Sequence, residues 1–110
     1  MPTTYKVLGQ VVSTAGVDTN VYTVPSSTTA IISSIVVVNR GTDGTTFRVA
    51  VRPNGATIEN KHYVAYDVSI ARNDSTVLSF GITMDAADVV TINGANNNLS
   101  VSVFGTEITA

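Results

Sequence analysis

The chain has no cysteine and no tryptophan, a single histidine, three prolines and only 13% charged residues among its 110. Without cysteine there is no disulfide framework and no thiolate-ligated metal, which leaves the redox compartment open. With one imidazole, any metal site or catalytic triad would have to be built around His62 alone. A formal charge of −2 gives no electrostatic grip on a phosphate backbone, which needs clustered Lys and Arg, so nucleic acid is not an expected partner. Long apolar runs are missing as well. The richest stretch, Ala30 to Val38, is broken by Ser33 and Ser34 and is far shorter than the roughly 20 residues a helix needs to cross a bilayer. No membrane is expected. The opening Met-Pro-Thr-Thr-Tyr-Lys lacks the charged and apolar regions of a secretory signal, which predicts synthesis and folding in the cytoplasm.

What is present is β-branched alternation punctuated by turn residues. A first segment over about Thr4 to Thr14 places Val7 and Val11 on one face and Leu8 and Val12 on the other, with Gly9 marking a bulge or a close backbone approach. Asn20 to Pro25 is a short strand stopped by a proline that cannot donate to a ladder. Thr28 to Asn39 is apolar on both faces over Ile35-Val36-Val37-Val38, which suits a central strand covered by the opposite sheet and by a neighbouring subunit. Phe47, Val49 and Val51 alternate with Arg48, Ala50 and Arg52, and Pro53-Asn54-Gly55 is a strong reversal signal.

The stretch from about Asn60 to Ile70 sets His62, Val64, Tyr66, Val68 and Ile70 against Lys61, Tyr63, Ala65 and Asp67, so each face carries an aromatic ring. Leu78, Phe80, Ile82 and Met84, the inward face of the clearest amphipathic strand, alternate with Val77, Ser79, Gly81 and Thr83; Val89 to Ile92 is a further strand, and Leu99, Val101 and Val103 face inward on the last. Roughly eight strands at spacings of about 8 to 12 residues predict an all-β antiparallel sandwich, jelly-roll-like, with an immunoglobulin-like sandwich as the alternative. No repeat or linker divides the chain, so residues 1–110 read as a single β-sandwich domain.

Candidates for chemistry are sparse. His62 on a strand face reads as structural. Asp85 and Asp88 lack the dense carboxylate and carbonyl spacing of a calcium loop, so no metal is expected. Nothing holds Asp67 and Glu59 at the separation an acid–base pair requires. There is no nucleophile elbow, P-loop or dinucleotide fingerprint, so neither a catalytic residue nor a cofactor is assigned and the chain is not read as an enzyme. Tyr22, Tyr63 and Tyr66 are the candidate interface residues. Each could line a protein contact or stack on a sugar, the alternative being that it fills the core with its hydroxyl at the edge.

The blocks Val21-Tyr22-Thr23-Val24-Pro25, Ala30 to Asn39, Phe47-Arg48-Val49-Ala50-Val51 and Lys61-His62-Tyr63-Val64-Ala65-Tyr66-Asp67 occur in this order. Gly81-Ile82-Thr83-Met84, Asp88-Val89-Val90 and Val101 to Ile108 follow. The succession resembles the small β-sandwich virion proteins of tailed bacteriophages, including cyanophages, over nearly the whole chain. That resemblance implies a capsid decoration, or cement, protein on the capsid surface of the virion. It would form homo-oligomers, trimers among them, and stabilise the head by binding the major capsid protein. Related domains in neck, tail and fibre parts make those locations the alternative. A carbohydrate-binding module for host attachment, using Tyr22, Tyr63 or Tyr66 as a stacking platform, is an alternative of a different class.

Overall fold

Val, Ile and Thr favour extended backbone because a branched Cβ packs well on a pleated surface, and among the described residues their runs form eight strands. These are β1 (Thr3–Val12), β2 (Thr19–Thr23), β3 (Thr28–Asn39), β4 (Thr45–Arg52), β5 (Tyr63–Ile70), β6 (Ser75–Met84), β7 (Val89–Gly94) and β8 (Leu99–Thr109). The structure, a computed structural model, describes residues 2–109 apart from the side chain of Phe80, so the inward direction expected for that ring lies outside the described residues. Single 3-10 turns at Pro53–Gly55 and Asn60–His62 occur in the β4–β5 connection.

The strands form two four-stranded sheets, in the orders β1-β8-β3-β6 and β2-β7-β4-β5. All pairings are antiparallel, and first with last, second with seventh, third with sixth and fourth with fifth are nested within one another. The chain is therefore one long hairpin rolled up on itself, the two-sheet jelly roll. An immunoglobulin-like sandwich, with ABED and CFG sheets, is set aside by this order. Ile32, Ile35, Val37, Val49, Val90, Leu99, Val101 and Val103 fill the space between the sheets and are almost wholly buried. The expected central place of β3, between β8 and β6, and the inward set on β8 both hold.

Period-two reasoning fails at one level of the first sheet, where three strands each carry extra residues beside Phe104 and Gly105 of β8. The register skips Leu8 on β1, Ser33 on β3, and Phe80 with Gly81 on β6. A single extra residue turns every later side chain to the other face, whereas two restore the phase. Leu8 and Val11 consequently pack on the core while Val7 and Val12 are exposed, which corrects the expected pairing of Val7 with Val11 and of Leu8 with Val12. On β3 the inward set moves from Thr28, Ala30 and Ile32 to Ile35, Val37 and Asn39. On β6 the expected face survives, with Leu78, Ile82 and Met84 against the core. Gly9 fulfils both expectations: it directly follows a bulge, and a Cβ on it would overlap the Val21 carbonyl oxygen where β1 passes β2.

Two boundaries also differ. β1 ends at Val12 because the buried Ser13 takes over the ladder, its N–H donating to the Leu99 carbonyl at 2.8 Å and its hydroxyl to the Asn96 carbonyl at 2.6 Å. β5 begins only at Tyr63 because residues 60–62 form a turn. His62 Nδ1 accepts the Glu59 N–H at 2.9 Å, the His62 N–H donates to the Glu59 carbonyl at 3.0 Å, and the imidazole is buried in this structural role. Asp85 and Asp88 serve a turn too. The Asp88 carboxylate accepts the backbone N–H groups of Asn54 and Asp85, at 2.8 and 2.9 Å.

Candidate assembly surface

Residues directly opposite in antiparallel strands share a face, so the registers assign each side chain of the first sheet. Its outer face is a stack of rows. Val12, Ser100, Val38 and Ser75 form the first, followed by Gln10, Ser102, Val36 and Val77. Val7, Phe104, Ser34 and Ser79 come next, then Tyr5, Thr106, Ile31 and Thr83, and finally Thr3, Ile108 and Thr29. None of these is Lys, Arg, His, Asp or Glu. Tyr5, Val7, Val12, Ile31 and Val77 are exposed large hydrophobics, Tyr5 at 82% and Val77 at 59%. The both-faced apolar run of β3 made this surface legible in part. The contributions of β1 and β8 were not read, because the phase of β1 depends on its bulge.

The outer face of the second sheet is of opposite character. Ala50 lies opposite Tyr63 and Val49 opposite Ala65, so Val64 is an extra residue, and a second irregularity follows at Tyr66–Asp67, where Asp67 has a left-handed φ of 51°. The two irregularities bring Tyr63 and Tyr66 together, ring centroids 4.9 Å apart and planes at 77°, instead of on opposite faces as alternation predicts. The Arg48 guanidinium sits 4.1 Å over the Tyr66 ring and binds the Asp67 carboxylate through Nε at 2.6 Å and Nη2 at 3.3 Å. That pairing holds the Asp67 carboxyl below its ordinary range and the guanidinium above its own. Tyr66 is exposed, and with Asn60 and Tyr63 it lines a shallow open depression. Asp67 was expected on the face of Tyr63, and Arg48 is the member of this group that the sequence did not place beside the tyrosines. Asp67 and Glu59 do not form a carboxylate pair, since Asp67 is engaged by Arg48 while Glu59 lies 3.9 Å from Lys61.

Next to this group the outer face is covered by the chain itself. Arg52 donates to Thr91 Oγ1 at 3.0 Å, to the Ala56 carbonyl at 2.9 Å and to Asn20 Oδ1 at 2.9 Å, tying the β4–β5 connection down over β7 and β2. Thr91 is buried beneath it.

Tyr22, the third candidate interface residue, is not on the surface. It lies in the core at 8% exposure, and its hydroxyl donates to Glu107 Oε2 at 2.5 Å, while Lys6 Nζ donates to Glu107 Oε1 at 3.2 Å. One carboxylate thus ties β2 of one sheet to β1 and β8 of the other. The Tyr22 hydrogen bond, helped by Lys6, lowers the Glu107 carboxyl below its usual 4.5; burial first, and Glu107 second, pushes the Tyr22 phenol well above its usual 10. A depressed carboxyl stabilises the fold above its unfolded value and loses that contribution as pH falls through its folded one. A raised phenol stabilises below its unfolded value and loses it as pH rises through its folded one. Tyr22→Phe is expected to lower stability by about 1.5–3 kcal/mol at neutral pH, since a hydrogen bond to a charged acceptor is lost. The variant's acid unfolding limb should also lose part of its steepness below pH 4.5. Urea midpoints measured across pH check both effects.

No protein-family model matches the chain, and no curated protein matches its sequence. Among solved structures, a chain of the T13 particle of infectious bursal disease virus superposes with a TM-score of 0.58 and 14% identity, over 96% of this chain and 29% of that one. The likeness is one of fold. A chain from the Gx strain of the same virus gives 0.53 and 15%, over 96% of this chain and 32% of its own length. The protein spans about a third of the length of the chains it matches.

Proposed function

We propose that this protein is a structural component of a bacteriophage virion, most specifically a head decoration protein that oligomerises on the capsid surface and clamps neighbouring major capsid subunits. The observation that carries the reading is the charge-free, partly apolar outer face of the β1-β8-β3-β6 sheet, a surface suited to protein contact. The jelly roll recurs in viral capsid proteins as well as in lectins, and the two similar solved chains come from a virus particle, which supports a virion role. A rigid sandwich repeated by symmetry multiplies weak contacts through effective concentration, which is what clamping a shell requires.

The Tyr63–Tyr66–Arg48 group fits a contact with shell protein better than a sugar platform. A platform needs an open ring face, and here the rings meet at an angle with Arg48 seated on Tyr66. Tyrosine and arginine are also the residues that dominate protein interfaces. Tyr66→Ala is expected to weaken shell binding by about 2 kcal/mol, roughly thirtyfold, with the fold intact. Binding titrations on particles, with circular dichroism as the control for folding, check this. The deciding experiment mixes the purified protein with undecorated capsids and locates bound density by electron microscopy. Density at regular shell positions is the expected result. Its absence at saturating protein would move the assignment to the neck, tail or fibres, and binding to a glycan that is lost in Tyr66→Ala would favour host attachment.

A further inference from the structure

We infer that the outer face of the β1-β8-β3-β6 sheet is covered by the same face of a second copy of this chain, sheet against sheet about a two-fold axis. This rests on the proposed function only in taking the face as an assembly surface. Dimerisation is read on the isolated protein and decoration on particles, so the two can fail separately.

Charge selects the occupant. A two-fold contact brings a patch against itself, and any ionised group near the axis meets its own like charge. The rows of this face contain no Lys, Arg, His, Asp or Glu, so self-association meets no such penalty and a charged partner finds nothing to pair with. The opposite outer face, with Arg48, Asp67, Lys61 and Glu59, has the fixed charges that a distinct partner can complement.

Size agrees. Rows running from Thr3 to Val12 extend ~30 Å at ~3.3 Å per residue, and four strands ~4.8 Å apart span ~19 Å, so each copy offers ~600 Å². A pair would bury ~1,200 Å², the lower bound for a stable specific interface. Tyr5, Val7, Ile31 and Val77 supply the apolar contacts, and the interleaved serines and threonines are short, so ordering them costs little side-chain entropy. Packed sheets of this kind sit ~10 Å apart with strands rotated by ~30°.

The test uses the full chain in solution, with mass measured by light scattering after size exclusion. The wild type is expected at twice 11.5 kDa. Val36, half-buried near the middle of the face, is replaced by lysine in one variant and by glutamate in another. Each alone should be a folded monomer, and an equimolar mixture should recover the dimer mass, because a lysine face then meets a glutamate face. Should either variant fail to fold, Val77→Lys and Val77→Glu, at a more exposed position, serve the same purpose. A folded wild-type monomer, a trimer, variants that keep the dimer mass, or a mixture that does not recover it would each overturn the inference. A monomeric wild type that loses shell binding on Val36→Lys would instead assign this face to the shell protein, leaving the decoration reading intact.

Discussion

Gly105→Ala is expected to destabilise the protein by about 3 kcal/mol or more, enough to prevent folding if the margin is small. Gly105 lies on β8 opposite Ile32 of β3, beside the extra residue Ser33. A Cβ on Gly105 would overlap the Ile31 carbonyl oxygen and stand 3.0 Å from the Ile32 Cα. These are backbone atoms of a central strand, and no side-chain rotation relieves them. The two middle strands of the sheet would have to part. Gly81→Ala is the control: a Cβ there meets nothing within 4 Å, and the change should stay within about 0.5 kcal/mol. Urea unfolding of the two variants side by side checks the contrast, and equal midpoints would refute the packing argument.

The second large effect belongs to Asn39, which is fully buried at the end of β3. Its Nδ2 donates to the Asp43 carbonyl at 2.9 Å and lies 3.4 and 3.3 Å from the Ile70 and Ala71 carbonyls; its Oδ1 accepts the Gly41 N–H at 2.9 Å. One amide therefore fastens the β3–β4 loop to the end of β5. Asn39→Leu keeps the volume and removes every one of these bonds, leaving buried backbone groups unsatisfied at about 1–3 kcal/mol apiece, so a loss of about 3 kcal/mol is expected. Asn39→Asp gives the sharper test. One carboxylate oxygen can still accept from Gly41, but the other would face carbonyls where a donor is needed. The aspartate variant should be the less stable of the two at neutral pH. It should regain stability towards pH 4, when a protonated carboxyl can donate again. A flat pH response would show that the side chain is not held among those carbonyls.

How much of this was legible in the sequence depends on what each feature asks of the chain. Strand positions were readable because β-branched alternation and turn residues are local. β3 could be placed centrally because Ile35 to Val38 are apolar on both faces, a pattern that only a doubly covered strand sustains. Side-chain direction was readable only up to the first bulge. Val7 was assigned to the face of Val11, and Tyr63 and Tyr66 to opposite faces, since nothing in residues 5–12 or 63–70 states that Leu8, Val64 and Asp67 are extra residues. Gly9 was the one local hint, and it was correct. Tyr22 went astray for another reason: its partner Glu107 is 85 residues away, a pairing set by topology and not by spacing. The Arg48–Asp67 pair lies on neighbouring strands, but it comes together only through the left-handed turn at Asp67.

The position of β8 also governs when the molecule can form. It lies between β1 and β3, so residues 99–109 complete the middle of a sheet and not its border. During synthesis β1 and β3 emerge with a strand-wide gap between them, and they cannot be joined until residues 99–109 have left the ribosome. Sheet closure therefore waits for β8, and with pairing this remote in sequence it belongs to the slow class of folding reactions, on the order of milliseconds to seconds. Until β8 arrives, the nascent strands expose open borders, and the sparse prolines of this segment leave few natural guards against premature pairing with neighbours.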